Sequence, residues 1–171
     1  MLPSIDVRIA NIVKALEQVI MPALPAREKL ARDQIRLCLG HLHMIGAQWR
    51  HAGAFEAAAL GAMVELGEAL LSAADARYVD DLRAALAAAK TVRAVDMSGV
   101  EAAIGSLGGE IDRIILGDDG KVALSDAARE AILTYGEKQA TRERTWFAMT
   151  GLDPDRKSLP DIATMMAEIA P

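Results

Sequence analysis

The chain has few residues that bind metals or form covalent cross-links. Its 171 residues include one cysteine, Cys38, which excludes an internal disulfide and any metal site made of paired cysteines. None of the three histidines has a glutamate three positions earlier, so the Glu-x-x-His pairs of ferritin-like di-iron proteins are missing. We therefore expect no metal and no other cofactor.

Signatures of localisation and of common chemistries are missing as well. The first residues lack the basic start and apolar run of a secretory signal, and no apolar stretch reaches the ~20 residues that cross a bilayer. No P-loop, dinucleotide fingerprint, Gly-x-Ser-x-Gly or His-Glu-x-x-His pattern occurs. A net charge of −5 disfavours general nucleic-acid binding. We expect a cytoplasmic protein that binds neither membranes nor nucleic acids.

The composition favours helices. Hydrophobic residues make up 52% of the chain but aromatics only 4%, and alanine, the best helix former, dominates the apolar content. Apolar residues recur at helical spacing, and strict alternation never persists. The sequence predicts one all-α domain over 1–171, an up-and-down helical bundle of four or five long helices plus one or two short ones.

Helix caps and breaks divide the chain into segments. A first helix is expected to follow Ser4 and to end at Pro22. Further helices are expected over about 26–51, 54–74, 73–94, 98–115 and 126–150, with a short one through Ile169. Serines are the predicted caps for most of them, namely Ser72, Ser98, Ser125 and Ser158. Gly117-Asp-Asp-Gly120 is predicted to be a loop.

The helix over 26–51 has polar side chains on its apolar side. The apolar residues are Leu30, Leu37, Cys38, Leu42, Ile45 and Trp49. At 100° per residue their face is centred on the heptad-spaced line Arg27, Gln34, His41 and Gln48. Polar groups on a packing face are costly unless each finds a partner. The line is therefore predicted to be either a buried polar network or the wall of a cavity.

The helix over 126–150 shows the same feature. Its apolar face also carries Tyr135, Gln139 and Glu143, with Arg142 at the edge. If the two helices are neighbours, a ligand pocket would be lined by Gln34, His41, Gln48, Tyr135, Gln139 and Glu143. The alternative is a half-exposed rim of Arg142, Glu143 and Trp146 with buried stems and solvated charges.

A separate basic face occurs on the helix over 26–51. It carries Lys29, Arg32, Arg36, His43 and Arg50. Such a face is usually solvated, and the alternative is a surface that binds an anionic partner.

The first third resembles a group of small uncharacterised all-helical bacterial proteins. The likeness rests on Val19-Ile-Met-Pro-Ala-Leu24 followed by an arginine-containing helix from Arg27 to Trp49. Those proteins are often encoded near acyl-CoA dehydrogenase-like and aminoglycoside-phosphotransferase-like enzymes. The resemblance implies a bacterial source and an accessory role beside a metabolic enzyme, and it carries over no site residue.

Two functional hypotheses follow from the sequence. The first is a non-enzymatic interaction or accessory protein that forms a homodimer or binds a metabolic enzyme, because the apolar content exceeds what a simple bundle with few aromatics needs. The alternative is a small-molecule-binding module or minor enzyme with its pocket between the helices at 26–51 and 126–150. The sequence identifies no catalytic residue for it.

Overall fold

The fold is all helical, which confirms the predicted class. The computed structural model describes residues 2–169, and over that range it contains no strand. The helices are α1 (Ile5–Ala15), α2 (Met21–Ala23), α3 (Lys29–Gln48), α4 (Ala52–Ala73), α5 (Ala76–Ala89), α6 (Met97–Gly120), α7 (Asp126–Phe147) and α8 (Ile162–Ile169). A π-helical turn (Leu16–Ile20) joins α1 to α2, and two 3₁₀ turns (Ala148–Thr150 and Arg156–Ser158) lie between α7 and α8.

Side-chain caps begin most of these helices. The predicted caps Ser4 and Ser125 accept hydrogen bonds from the backbone N–H groups of Val7 and Ala128. At three other helices the predicted serine is wrong and an aspartate caps instead, with Asp75 in place of Ser72, Asp96 in place of Ser98 and Asp161 in place of Ser158. A carboxylate both accepts the orphan N–H bonds and interacts favourably with the positive end of the helix dipole.

The predicted loop Gly117–Gly120 forms a left-handed turn at the end of the range given for α6. Gly117, Asp118 and Asp119 have φ values of 55°, 51° and 57°, so the right-handed helix ends at Leu116. A Cβ on Gly117 would lie 2.1 Å from the carbonyl oxygen of Val122, and only glycine fits there. The turn is closed by the Val122 N–H, which donates to the Gly117 carbonyl at 2.8 Å.

The core lies in the second two thirds of the chain. Helices α4 to α7 pack together around Leu70, Leu82 and Leu107, which are completely buried. Next to this core, α8 covers a smaller cluster in which the rings of Phe55 and Trp146 stack at 4.1 Å. We call α4 to α8 the body.

The first helices form a separate structure that we call the hairpin, residues 5–49. Arg32 closes its turn by donating to the carbonyls of Met21 and Leu24 at 3.0 and 3.2 Å. At the other end, the Trp49 indole donates to Asp6 at 2.9 Å, so α1 and α3 run antiparallel. None of its helical residues is buried. The hairpin therefore adds no buried side chain to the core, which the body supplies.

Candidate interaction surface

The structure does not assemble the predicted six-residue pocket. Gln34 and His41 are exposed on α3. Gln48 is half-buried and donates from its side-chain amide to the carbonyl of Trp146 at 2.7 Å, so it ties the end of α3 to the end of α7. The polar line is therefore not a buried network in this chain, and along Gln34 and His41 it does not line a cavity with α7.

The other three predicted pocket residues lie on α7, where two of them hydrogen-bond to side chains of the same helix. Gln139 accepts a hydrogen bond from Arg142 and donates to Glu143 at 2.5 Å. Tyr135 is half-buried, and burial raises the pKa of its hydroxyl. Gln139 and Glu143 are thus linked to Arg142, which reaches α4, and we call this set of polar side chains the polar seam.

Arg142 is the buried centre of that seam, a position that helical spacing alone placed at the edge of the apolar face. Its guanidinium donates to the Ala58 carbonyl at 3.2 Å and lies 5.7 Å from the centre of the Phe55 ring. Burial lowers the pKa of this guanidinium. Of the three residues of the alternative rim, Glu143 is exposed while Arg142 and Trp146 are buried.

The helix α3 packs on α1 through a different face from the predicted one. Its half-buried residues on that side are Ile35, Leu39, Leu42 and Gly46. A Cβ on Gly46 would lie 3.8 Å from Ile9, so the two helices approach closely there. The apolar stripe that was predicted to be buried faces outward, because α1 covers a different side of α3.

The outward residues form an apolar surface, which we call the outer face. It consists of Ile5, Ile12 and Val19 from the α1 side and Leu30, Leu37 and Ile45 from α3, with exposures between 46% and 74%. The groove on the opposite side of the hairpin is lined by Asp6, Lys14, Glu17 and His43. At 100° per residue, the six apolar residues lie on the side away from that groove in both antiparallel helices.

A sequence signal for this surface exists in the spacing. Ile5, Ile12 and Val19 are seven residues apart, as are Leu30 and Leu37. A heptad spacing of apolar residues is typical of a helix that packs along a partner helix. The signal was available, but the partner of each stripe is not visible in the sequence.

The outer face carries little charge. Gln34, Cys38 and His41 lie among its apolar residues, and Cys38 is an exposed free thiol. Asp6 and Glu17 line the opposite groove, whereas Asp33 lies one helical turn from Leu30 and Leu37 at the edge of the face and pairs with Arg36. A surface whose bordering charges are already paired within the chain can meet a copy of itself with little repulsion.

Three arginines of the predicted basic face have partners within the chain. Arg32 holds the hairpin turn, Arg36 pairs with Asp33 at 2.6 Å, and Arg50 pairs with Asp6. The hypothesis of an anion-binding surface on these arginines finds no free cluster to support it.

A second apolar concavity lies on α4. It has a volume of about 980 Å³, and small residues of α4 such as Ala54, Ala57 and Gly61 form its floor. Trp49 of the hairpin and the exposed Val95 and Met97 form its edges. The groove therefore adjoins the hairpin but differs from the outer face in shape and in the size of its residues.

The described residues 2–169 contain no group of three or more histidine, cysteine or acidic side chains positioned to hold a metal ion. Within the same residues, no helix combines the length and apolar character needed to cross a membrane. Comparisons with protein-family models, with curated proteins and with solved structures found no match for the chain.

Proposed function

We propose that this chain is a helical interaction protein that self-associates through the outer face of its hairpin. The observation that carries the proposal is the exposure of six large apolar side chains on one side of a hairpin that has no buried residue. Most of the stability of a protein helix comes from packing its apolar face rather than from intrinsic propensity. The hairpin packs one flank of each helix and leaves the other without a partner.

The geometry favours a second copy as the occupant. Two hairpins placed face to face make a four-helix bundle, the simplest arrangement that encloses a core between amphipathic helices. A 20-residue helix is about 30 Å long and about 10 Å wide, so two helices side by side present on the order of 600 Å² before side-chain relief is counted. That value approaches the ~800 Å² per partner of a standard stable interface.

The chemistry of the face fits the same occupant. Its heptad-spaced apolar residues suit a two-fold interface in which the same surface is buried on both copies. A metabolic enzyme, which the resemblance of the first third suggests, is the competing occupant. The proposed role is that of an accessory subunit in the cytoplasm and requires no reaction by this chain.

The test is the mass of the full chain in solution by sedimentation equilibrium, for the wild type and two matched variants. Leu37→Asp introduces a charge in the outer face, and Leu133→Asp introduces the same charge at an exposed leucine of α7 in the body. We expect a dimer for the wild type and Leu133→Asp, and a folded monomer for Leu37→Asp. A monomeric wild type, or equal effects of both variants, would contradict the proposal.

The single cysteine gives an independent readout without mutation in the face. Cys38 is exposed in the isolated chain and lies within the outer face, so a second copy would cover it. We expect the rate of maleimide labelling to fall as protein concentration rises through the dimer dissociation constant. A rate that is independent of concentration, in a protein that is dimeric by mass, would place the dimer interface elsewhere.

A further inference from the structure

The body carries a small cavity whose walls hold charges of both signs. It has a volume of about 440 Å³ and lies where the start of α5 meets the end of α6. Tyr78 is 7% exposed and forms its floor, because it is the buried member of a lining whose other residues are exposed. The lining residues are Arg77, Tyr78, Arg113, Leu116, Asp118 and Asp119. None of them belongs to the hairpin, so the cavity lies outside the proposed self-association.

The floor of the cavity contains a polar group without a partner. The Tyr78 hydroxyl is buried and has no hydrogen-bond partner within residues 2–169. A long side chain on a helix extends toward the helix N-terminus. The start of α5 lies beside the turn after α6, since the Arg77 guanidinium is 4.0 Å from the Asp118 carboxylate. The hydroxyl end of Tyr78 is therefore directed toward the cavity, and a polar ligand there supplies the partner that a buried hydroxyl needs.

The charged walls also have capacity for a ligand. Arg113 donates to Asp81 and Glu110 at 3.0 and 2.7 Å, and both bonds come from Nη1. A guanidinium has five N–H donors, and in the described part of the chain Nη2 and Nε have no acceptor. Asp119, on the left-handed turn, forms no ion pair with any residue between 2 and 169. The cavity therefore presents free donors on α6 and an unpaired carboxylate on the turn.

We propose that this cavity binds a small zwitterion, namely a free α-amino acid. A ligand with charge of one sign is attracted by one wall and repelled by the other, whereas an amino acid matches both. Its carboxylate accepts charge-assisted hydrogen bonds from Arg113 and a hydrogen bond from the Tyr78 hydroxyl, and its ammonium group donates to Asp119. Leu116 is 66% exposed at the edge of the cavity, which favours an amino acid with an apolar side chain.

The test begins with thermal unfolding of the full chain in the presence of each standard L-amino acid at about 5 mM, followed by calorimetric titration of those that raise the midpoint. We expect an amino acid with an apolar side chain to raise the midpoint. Its N-acetyl derivative has no ammonium group and its amide has no carboxylate, so each matches one wall alone and should leave the midpoint unchanged.

Four variants titrated with the same amino acid assign the contacts. Arg113→Gln and Asp119→Asn each remove one charged partner and should weaken binding roughly tenfold or more. Tyr78→Phe keeps the ring and removes the hydroxyl, so it should weaken binding while the midpoint without ligand stays unchanged or rises. The matched control is Arg83→Gln, because Arg83 pairs with Asp80 on α5 at 2.8 Å, outside the cavity. Its affinity should equal that of the wild type.

The proposal is overturned by a chain whose midpoint no amino acid raises, or by derivatives that bind as tightly as the parent amino acid. Equal affinity of Tyr78→Phe and the wild type overturns the role of the hydroxyl. Equal weakening by Arg113→Gln and Arg83→Gln overturns the assignment of the site to this cavity. The mass of the chain in solution enters none of these measurements, so this proposal and the self-association can fail independently.

Discussion

The hairpin and the body are both built of amphipathic helices, yet they use their apolar residues differently. All of the buried side chains of the described residues lie in the body, between Phe55 and Met166. The hairpin contains helices of comparable length, and its leucines and isoleucines remain half exposed. The number of neighbouring helices differs, because α4 contacts α5, α6, α7 and α8, while α3 contacts α1 and, at its end, the 3₁₀ turn that follows α7.

This contrast shows how a structure can point to function without a catalytic site. A helix surrounded by three others has its whole apolar face satisfied within the chain. A helix with one neighbour leaves part of its apolar surface uncovered. On this hairpin the uncovered apolar surfaces of α1 and α3 lie on the same side. An exposed contiguous apolar surface on an otherwise packed protein marks an interaction site. The predictions below test whether the two regions differ as this account requires.

The largest difference between the body and the hairpin is expected in the free energy of unfolding that is lost when a leucine is truncated to alanine. Leu82 is fully buried in the body, and Leu82→Ala should lower the free energy of unfolding by about 2–5 kcal/mol, since it removes buried methyl groups and leaves a cavity. Leu30→Ala, at a site that is 74% exposed in the hairpin, should change it by about 0.5 kcal/mol or less in dilute protein. Urea denaturation at low concentration measures both. Equal losses at the two sites would mean that the hairpin is part of the core.

The next largest difference is expected when a glycine of each region is replaced by alanine, because the two replacements should change stability in opposite directions. Gly117→Ala forces a side chain into a left-handed turn and against the Val122 carbonyl, so we expect a loss of about 1–3 kcal/mol. Gly40→Ala in α3 meets open space and should gain up to about 1 kcal/mol through helix propensity. The midpoints of thermal unfolding should move in opposite directions. A stabilising Gly117→Ala would show that the left-handed turn is wrong.

The smallest effect is expected for a surface ion pair, and it depends on pH. Arg144 hydrogen-bonds Asp153 at 2.7 Å and lowers the pKa of that carboxyl. A lowered folded-state pKa gives stability above the unfolded value of about 3.9, and this stability is lost as the pH falls through the folded pKa. Asp153→Asn should therefore lower Tm at pH 7 by a few degrees or less and change it less near pH 2.

The matched control for this pair lies in the hairpin. Asp33 pairs with Arg36 at 2.6 Å, but both side chains are more than 60% exposed. An exposed pair one turn apart on a helix contributes little. Asp33→Asn should leave the neutral-pH Tm nearly unchanged, and a larger loss there than for Asp153→Asn would reverse the comparison.

The sequence predicted the helical class and most helices of the body, because capping residues and helical periodicity are local properties. The loop at Gly117 was predictable for the same reason, since consecutive glycines and aspartates tolerate left-handed backbone. The observed helix starts differ from the predicted ones where Asp75, Asp96 and Asp161 cap the helix in place of a nearby serine. Propensity ranks these residue types too closely to decide between them.

The candidate surface could not be predicted, because it depends on which side of α3 has a neighbour. Helical spacing correctly identified the apolar stripe around Gln34 and His41 but could not say what covers it. The pairing of α3 with α1 through Leu39 and Leu42 leaves that stripe outside. The structure does not bring His41 and Tyr135 to one pocket, since α7 packs on α4 and meets α3 at its end, through Gln48.

Hydrogen exchange of the full chain, followed by mass spectrometry, tests the central claim most directly. Peptides from the hairpin and from the body are compared at two protein concentrations that differ by roughly a hundredfold, across the dimer dissociation constant. The account predicts that α1 and α3 become protected at the higher concentration while α5 and α6 exchange at the same rate in both samples. A hairpin whose exchange does not depend on concentration would contradict it.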